Sequence, residues 1–222
     1  FNPAYSINPN IKDENGITSD IGFRGTFEDY LSLDFSLFNL MYNDRIGFTQ
    51  KAYRDGSVKS ERGNVGDAEI IGFESILEFN LNKLLFDRSN QIDISFFCNI
   101  SSIKSEYVKS ETPGVLGKKV EFIPSKNYKL GGRVGYKNMF LSLQLTKLGE
   151  QFTDASNATS SNLSGVIGQI PEYQVIDLVF NYRFKKFKIE SGVNNMGNEI
   201  YFTRRATGYP GPGIIPSPPR NY

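Results

Sequence analysis

Two adjacent arginines, Arg204 and Arg205, are the residues of this sequence best suited to hold an anion. Guanidinium groups stay charged at any relevant pH, and their planar fork donates paired hydrogen bonds to carboxylates. Tyr209 follows within a segment rich in glycine and proline. We therefore take Arg204, Arg205 and Tyr209 as candidate substrate-binding residues for an anionic ligand. The alternative is a solvated pair of loop charges that contacts no ligand.

Most catalytic chemistry is excluded by two residue counts, since the 222 residues contain no histidine and one cysteine, Cys98. Ser-His and Cys-His nucleophile pairs, histidine general bases and histidine-containing zinc sites need side chains that are missing. Cys98 lies in the apolar run Phe96-Phe97-Cys98, where a packed side chain is the expected state. We expect no enzyme activity, no catalytic residue, no metal site and no cofactor.

Charge gives no support for a nucleic-acid partner, because 25 Lys and Arg residues balance 24 Asp and Glu residues for a net charge of +1. The sequence contains no run of 18 apolar residues, so no transmembrane helix is predicted. The chain starts at Phe1-Asn2-Pro3, without an initiator methionine or a signal peptide. We therefore expect it to start within a longer protein or after processing.

Apolar residues recur at every second position over long stretches, which predicts an all-β protein. From Tyr30 onward, one face carries Leu31, Leu33, Phe35, Leu37 and Met41, while the other carries Ser32, Asp34 and Ser36. The same alternation, with one apolar and one polar face, recurs in the segments 91–101, 139–146 and 176–183. Phe97 is the one apolar residue on the polar face of its segment.

Two tight turns allow the strand register to be predicted, because a two-residue loop determines which positions lie opposite each other. A turn at Lys137-Asn138 brings together the pairs Tyr136 and Met139, Val134 and Leu141, Gly132 and Leu143, and Leu130 and Leu145. A turn at Lys185-Lys186 brings together Phe184 and Phe187, Tyr182 and Ile189, and Leu178 and Val193. In both hairpins the apolar faces then coincide.

The connections between strands alternate in length, which is typical of an outer-membrane barrel with short turns on one side and long loops on the other. The short ones are 25–30, 81–90, 137–138 and 185–186, and the long ones are 47–67, 106–126, 150–172 and 203–219. The polar strand face then lines the interior. We expect the lumen candidates Arg133, Asp177 and Arg183 to pair with neighbouring charges, or with a domain that plugs the barrel, rather than with substrate.

Aromatic residues fall near the strand ends, where amphipathic rings favour the headgroup level of a bilayer. We expect two aromatic girdles from Tyr42, Tyr107, Tyr128, Tyr136, Phe140, Tyr173, Phe184, Phe187 and Tyr201. The predicted fold class is an all-β, antiparallel transmembrane β-barrel, represented by about eight strands of a larger barrel. The alternative is a soluble β-protein with these aromatics in its core.

Four segments carry a family resemblance. The first is Asn8-Pro9-Asn10-Ile11-Lys12-Asp13-Glu14 before Gly22-Phe23-Arg24-Gly25, and the second is the strand pattern Phe38 to Gly47. The third is Val193-Asn194-Asn195-Met196-Gly197-Asn198-Glu199-Ile200-Tyr201, and the fourth is Arg204-Arg205 with Gly208 to Gly213 and Pro218-Pro219-Arg220. In this order and spacing they resemble the TonB-dependent outer-membrane receptors, and in particular their ferric-citrate and siderophore branch.

This resemblance implies that residues 1–222 are the C-terminal part of a plugged barrel of roughly 22 strands. The plug domain and the first barrel strands would be absent, and Asn221-Tyr222 would stand where the closing strand begins. The implied location is the outer membrane of a Gram-negative bacterium. The implied partners are membrane lipid or lipopolysaccharide, a ferric chelate, and TonB through the missing N-terminal plug.

The function implied by the resemblance is energy-coupled uptake of a ferric chelate, ferric citrate or a siderophore, with this chain as a barrel fragment. Three alternatives remain open from the sequence. A passive porin and a glycan or cobalamin receptor share the same architecture, and a plug domain in the full gene would exclude the porin. A soluble β-domain that binds a partner would differ by dissolving without detergent.

Overall fold

The computed structural model describes residues 5–54, 58–82, 91–206 and 213–222. Within these ranges the chain forms thirteen β-strands. They are β1 (Tyr5–Ile7), β2 (Asn15–Phe27), β3 (Leu31–Ala52), β4 (Val58–Asn80), β5 (Ile92–Lys109), β6 (Lys126–Tyr136), β7 (Met139–Leu148), β8 (Gln151–Phe152), β9 (Gln169–Ile170), β10 (Tyr173–Phe184), β11 (Phe187–Val193), β12 (Phe202–Ala206) and β13 (Gly213–Pro216).

Eight long strands form one antiparallel meander in the order β11-β10-β7-β6-β5-β4-β3-β2. This confirms the expected all-β architecture and the count of about eight barrel strands. The sheet is open, because β2 and β11 are its two edges in the described part of the chain. Strands β8 and β9 form one small sheet, and β12 and β13 form another.

The two predicted hairpins have the predicted register. Tyr136 lies opposite Met139 and Leu130 opposite Leu145 in the β6–β7 hairpin. Phe184 lies opposite Phe187 and Leu178 opposite Val193 in the β10–β11 hairpin. The physical reason is that a shift by one residue would bring polar side chains among the leucines.

The sheet has an apolar face, which carries Leu141 and Leu143, and a polar face, which carries Arg133 and Gln144. Residues of the apolar face are open to their surroundings: Leu143 is 47% and Ile21 is 72% exposed. Its other exposed members include Ile17, Phe23, Leu37, Met41, Ile71, Phe96, Val134, Met139 and Ile189. A continuous apolar surface of this extent is unusual on a soluble monomer, which disfavours the soluble β-domain.

Phe97 stands on the polar face, and its position is explained by a glycine opposite. Gly131 is its partner in the β5–β6 ladder, and a side chain there would come within 2.1 Å of the Phe97 ring. The guanidinium of Arg133 lies 5.0 Å from the centre of the same ring. The aromatic ring therefore fills the space above a glycine and stays on the interior side.

The expected long loop 47–67 is mostly strand, so that prediction is wrong. Strand β3 continues to Ala52 and β4 starts at Val58, with a bulge near Tyr42 and Arg45. Beyond the bulge this hairpin is polar: Lys51 makes an ion pair of 2.9 Å with Glu61. The apolar alternation that marks the other strands is missing there, and the four glycines between positions 47 and 67 give the stretch a composition typical of a loop.

Segment 5–14 crosses this hairpin from one side to the other. Strand β1 pairs in parallel with β4 at Ser60 to Arg62, and β2 then starts beside β3 at Asn15. Between the two, the Asn64 side-chain amide exchanges hydrogen bonds with the backbone of Lys12, at 2.7 and 2.9 Å. The segment thereby joins the hairpin to the rest of the sheet at its long-connection side.

The expectation of two aromatic girdles needs correction. Tyr136, Phe184 and Phe187 do lie on the apolar face beside the short turns, and Tyr128 lies on it near the other end. Tyr107 is 0% exposed and packs against the polar face with Tyr42. The remaining aromatics of that prediction also depart from it. Phe140 and Tyr173 belong to the polar-face register, and Tyr201, which stacks on Tyr173 at 4.4 Å, lies outside the strands.

Candidate ligand-facing surface at the long-connection side

The two long connections, 110–125 and 149–172, fold over the polar face of the sheet. A small hydrophobic core forms where the first of them meets β4 and β5. Val115 and Val120 from the connection are buried there against Tyr107 and Ile70. In the barrel predicted from the sequence the polar face lines the interior, so these connections would narrow the opening on their side.

A buried carboxylate holds connection 110–125 in place. Glu121 is 3% exposed and accepts hydrogen bonds from the Tyr107 hydroxyl at 2.7 Å and from the Phe48 amide at 3.2 Å. Gly47 makes room for it, because a side chain at that position would come within 2.0 Å of the Glu121 carboxylate. Buried charge is tolerated only when it is hydrogen-bonded in this way.

The second connection is attached to the first and to the β3–β4 hairpin. The Ala155 amide donates to the Phe48 carbonyl at 3.0 Å. The Asn157 side chain forms two hydrogen bonds of 2.8 Å with the backbone of Lys119. Lys119 also makes an ion pair of 2.9 Å with Glu150. The hairpin and both connections therefore form one hydrogen-bonded layer over the polar face.

Arg205 extends this layer to the β12–β13 hairpin. Its guanidinium donates twice to the Gln169 carbonyl, at 2.9 and 3.2 Å, and once to the Gly165 carbonyl at 2.7 Å. A fourth bond of 3.1 Å reaches the Ser161 hydroxyl. Burial lowers the pKa of Arg205 from its ordinary value, yet the charge is retained because four hydrogen bonds stabilise it.

The three candidate ligand residues have different surroundings. Arg204 is exposed and has no ion pair or side-chain hydrogen bond within the described ranges. The guanidinium of Arg205 is occupied by the chain itself, and Tyr209 lies outside the described residues. Ligand contact by Arg204, Arg205 and Tyr209 stays a prediction.

Two further residues of this surface, Tyr107 and Glu121, were not expected from the sequence. The alternation that places Ile100 on the apolar face also places Tyr107 on the polar face, so the position of Tyr107 could have been inferred. Glu121 sits in a connection without periodicity, where no pattern indicates burial. The lumen candidates Arg133, Asp177 and Arg183 make no ion pair with the described residues. Asp177 instead accepts a hydrogen bond of 2.9 Å from the neutral backbone amide of Asn195.

Among the described residues, no group of three or more His, Cys, Asp or Glu side chains is placed to hold a metal ion. The same part of the chain contains no helix that is long and apolar enough to cross a bilayer.

A family model described as TonB dependent receptor-like, beta-barrel, matches residues 1–196. The chain belongs to this family. Its members are receptors and transporters of the Gram-negative outer membrane, so this TonB-dependent receptor segment is a piece of an outer-membrane β-barrel. No curated protein matches it by sequence.

Solved structures of the same architecture resemble the receptor segment. The ferric citrate transporter FecA is 22% identical with a TM-score of 0.68, over 91% of this chain and 29% of FecA. The copper transporter OprC is 17% identical with a TM-score of 0.67, over 96% of this chain and 30% of OprC. The ferric yersiniabactin uptake receptor FyuA from Yersinia pestis is 18% identical with a TM-score of 0.66, over 93% of this chain and 28% of FyuA. The segment thus spans less than a third of each of these proteins.

Proposed function

We propose that this segment is part of a receptor that takes up a ferric chelate, ferric citrate or a siderophore, across the outer membrane with energy supplied through TonB. Its role is binding and passage of the ligand and not catalysis. The observation that carries the proposal is the layer of connections over the polar face, which includes an exposed arginine, Arg204, beside a half-buried one, Arg205. The family supplies the transport class, and several similar structures are named for ferric chelates.

An anionic chelate fits this surface because its carboxylate or catecholate oxygens accept hydrogen bonds from guanidinium groups. Arg204 would make first contact, since its side chain is exposed and unpaired in the described structure. Arg205 would act by holding connection 149–172 in position beside Arg204. Tyr209 would add an aromatic contact from the neighbouring segment. TonB itself would act through an N-terminal plug and not through residues 1–222.

Uptake is tested with radioactive iron, supplied as ferric citrate. The cells carry the complete receptor and no other outer-membrane receptor for ferric citrate. Uptake that requires both the receptor and TonB is the expected result. Equal uptake in cells without the receptor would exclude ferric citrate. The same assay with a catecholate siderophore then distinguishes the two ligand subclasses.

The contribution of the arginines is tested by titrating the purified complete receptor with ferric citrate. Arg204→Ala should weaken binding by about 1.5–3 kcal/mol for each charged hydrogen bond lost, and Arg204→Lys should restore part of it. The loss should shrink at high salt, because exposed charges are screened over about 8–10 Å at physiological ionic strength. Arg62→Ala, which removes another exposed arginine from β4, is the matched control. Unchanged affinity of Arg204→Ala would remove Arg204 from the ligand site without excluding uptake.

A further inference from the structure

Three lysines gather at the short-turn side of the sheet. Lys137 is in the turn between β6 and β7, and Lys185 and Lys186 form the turn between β10 and β11. The two turns are neighbours because β7 pairs with β10, and the Arg183 amide donates to the Asn138 carbonyl at 2.9 Å. Three positive charges therefore lie side by side at one edge of the apolar face.

Two of these lysines lie over aromatic rings of the apolar face. The ammonium nitrogen of Lys137 is 5.1 Å from the centre of the Tyr136 ring, and that of Lys185 is 5.3 Å from the centre of the Phe184 ring. Tyr136 and Phe184 are 48% and 50% exposed. The charges are thus on the lipid side of the barrel wall, directly beyond its last aromatic residues.

No carboxylate of the described apolar face neutralises these charges. The nearby acidic residues Asp93 and Glu190 belong to the polar face, and Glu190 pairs with Lys188 at 2.5 Å. Lysines of the apolar face at the opposite side differ in this respect. There Lys104 pairs with Glu106 at 3.0 Å, and Lys147 lies 3.7 Å from Glu172.

Turn geometry does not account for lysine at these positions. Lys137 and Lys185 each have a φ of 53° at the first position of a two-residue loop. Glycine adopts this left-handed conformation without strain, whereas a residue with a Cβ is disfavoured in it. The turns themselves therefore do not require a lysine at either position.

We propose that Lys137, Lys185 and Lys186, with the rings of Tyr136 and Phe184, bind the phosphate groups of anionic phospholipids in the inner leaflet of the outer membrane. The short turns of such barrels face the periplasm, which places the lysines at the headgroup level of that leaflet. Lysines near a bilayer surface attract anionic headgroups, and rings at this depth fix their height. The inference rests on the fold and the family, and it is independent of the transported ligand.

The test uses the complete receptor in a neutral detergent, mixed with dioleoylphosphatidylglycerol or dioleoylphosphatidylcholine, with retained lipids counted by native mass spectrometry. The wild type should retain phosphatidylglycerol in preference to phosphatidylcholine. The triple variant Lys137→Gln, Lys185→Gln, Lys186→Gln should lose this preference, by roughly fivefold for each lysine that contacts a headgroup. Retention of phosphatidylcholine should not change.

Two further variants make the result decisive. The first is a second triple variant, with Lys104→Gln, Lys126→Gln and Lys147→Gln, which removes the same number of charges from the opposite side of the apolar face. It should keep the wild-type preference for phosphatidylglycerol. Lys137→Gly with Lys185→Gly suits the turn conformation and should still lose most of it, which separates lipid binding from turn stability. A wild type without preference, a triple variant that keeps it, or an equal loss in the opposite-side variant would each overturn the proposal.

Discussion

Arg205 joins two parts of the chain that are far apart in sequence. Its guanidinium belongs to β12, whereas all four of its hydrogen bonds go to connection 149–172. Arg205→Ala leaves two backbone carbonyls with fewer donors, and each charged hydrogen bond lost costs about 1.5–3 kcal/mol. We expect faster amide hydrogen exchange in both segments 161–170 and 202–206, measured on the complete receptor.

Arg204→Ala provides the control for this exchange experiment, because it removes the neighbouring guanidinium without a hydrogen bond to the connection. Exchange rates should then stay at their wild-type values. Arg205→Lys should give an intermediate result, since one ammonium cannot reproduce the two-sided guanidinium fork. Unchanged exchange in Arg205→Ala would show that the connection is held by other contacts.

Tyr107 supplies the one side-chain hydroxyl that donates to the buried Glu121 in the described structure. Tyr107→Phe keeps the ring in its core and removes this donor, so the carboxylate retains only the Phe48 amide. We expect local opening of connection 110–125 to become easier by about 1.5–3 kcal/mol, which corresponds to at least roughly tenfold faster amide exchange there. Tyr128→Phe, on the apolar face, should leave this exchange unchanged, and equal exchange in both variants would contradict the role of Tyr107.

The long-range partners of these residues explain why the site was only partly predictable. The sequence identified Arg204 and Arg205 by charge and position, but nothing near Arg205 indicates carbonyls 36 and 40 residues away. Glu121 is hidden for the same reason, since its donors come from β3 and β5. Alternation along a strand determines a face, whereas contacts between loops depend on how the loops fold.

Strand β7 provides a direct test of the two faces. Leu143 is on the apolar face and Gln144 is on the polar face, next to each other in the chain. Leu143→Arg should destabilise the complete receptor in a bilayer by about 2–4 kcal/mol, because a lipid-facing arginine near the midplane is poorly solvated. Gln144→Arg should have little effect. Denaturant titration in lipid vesicles measures both, and equal losses would contradict the face assignment.

Hairpins with tight turns were the most predictable elements. The two-residue turns at Lys137 and Lys185 determine register from local sequence, and the apolar residues then have a single consistent arrangement. The β3–β4 hairpin beyond Asp44 was not predictable in this way. It is stabilised by polar cross-strand contacts such as Lys51 with Glu61, and both of its faces lack the apolar alternation of a lipid-facing strand.

The open sheet determines how the isolated chain should behave. Strands β2 and β11 each have an edge whose backbone groups need partners, and a bilayer offers no water to satisfy them. We expect that the isolated 222 residues will not refold in detergent into a compact monomer. A gel that compares heated and unheated samples tests this, with the complete receptor as the positive control. A monomeric band that shifts on heating would contradict the expectation.

The length of the β3–β4 hairpin determines how far it extends beyond the bilayer. Strands β3 and β4 contain 22 and 23 residues. At about 3.3 Å per residue and a tilt of about 45°, they rise roughly 50 Å along the barrel axis, about twice the height of the apolar band. Their upper part therefore extends above the apolar band on the long-connection side, outside the hydrocarbon layer of the membrane. Substitutions there change a surface that contacts water, whereas substitutions on the apolar face of the strands below change a surface that contacts lipid.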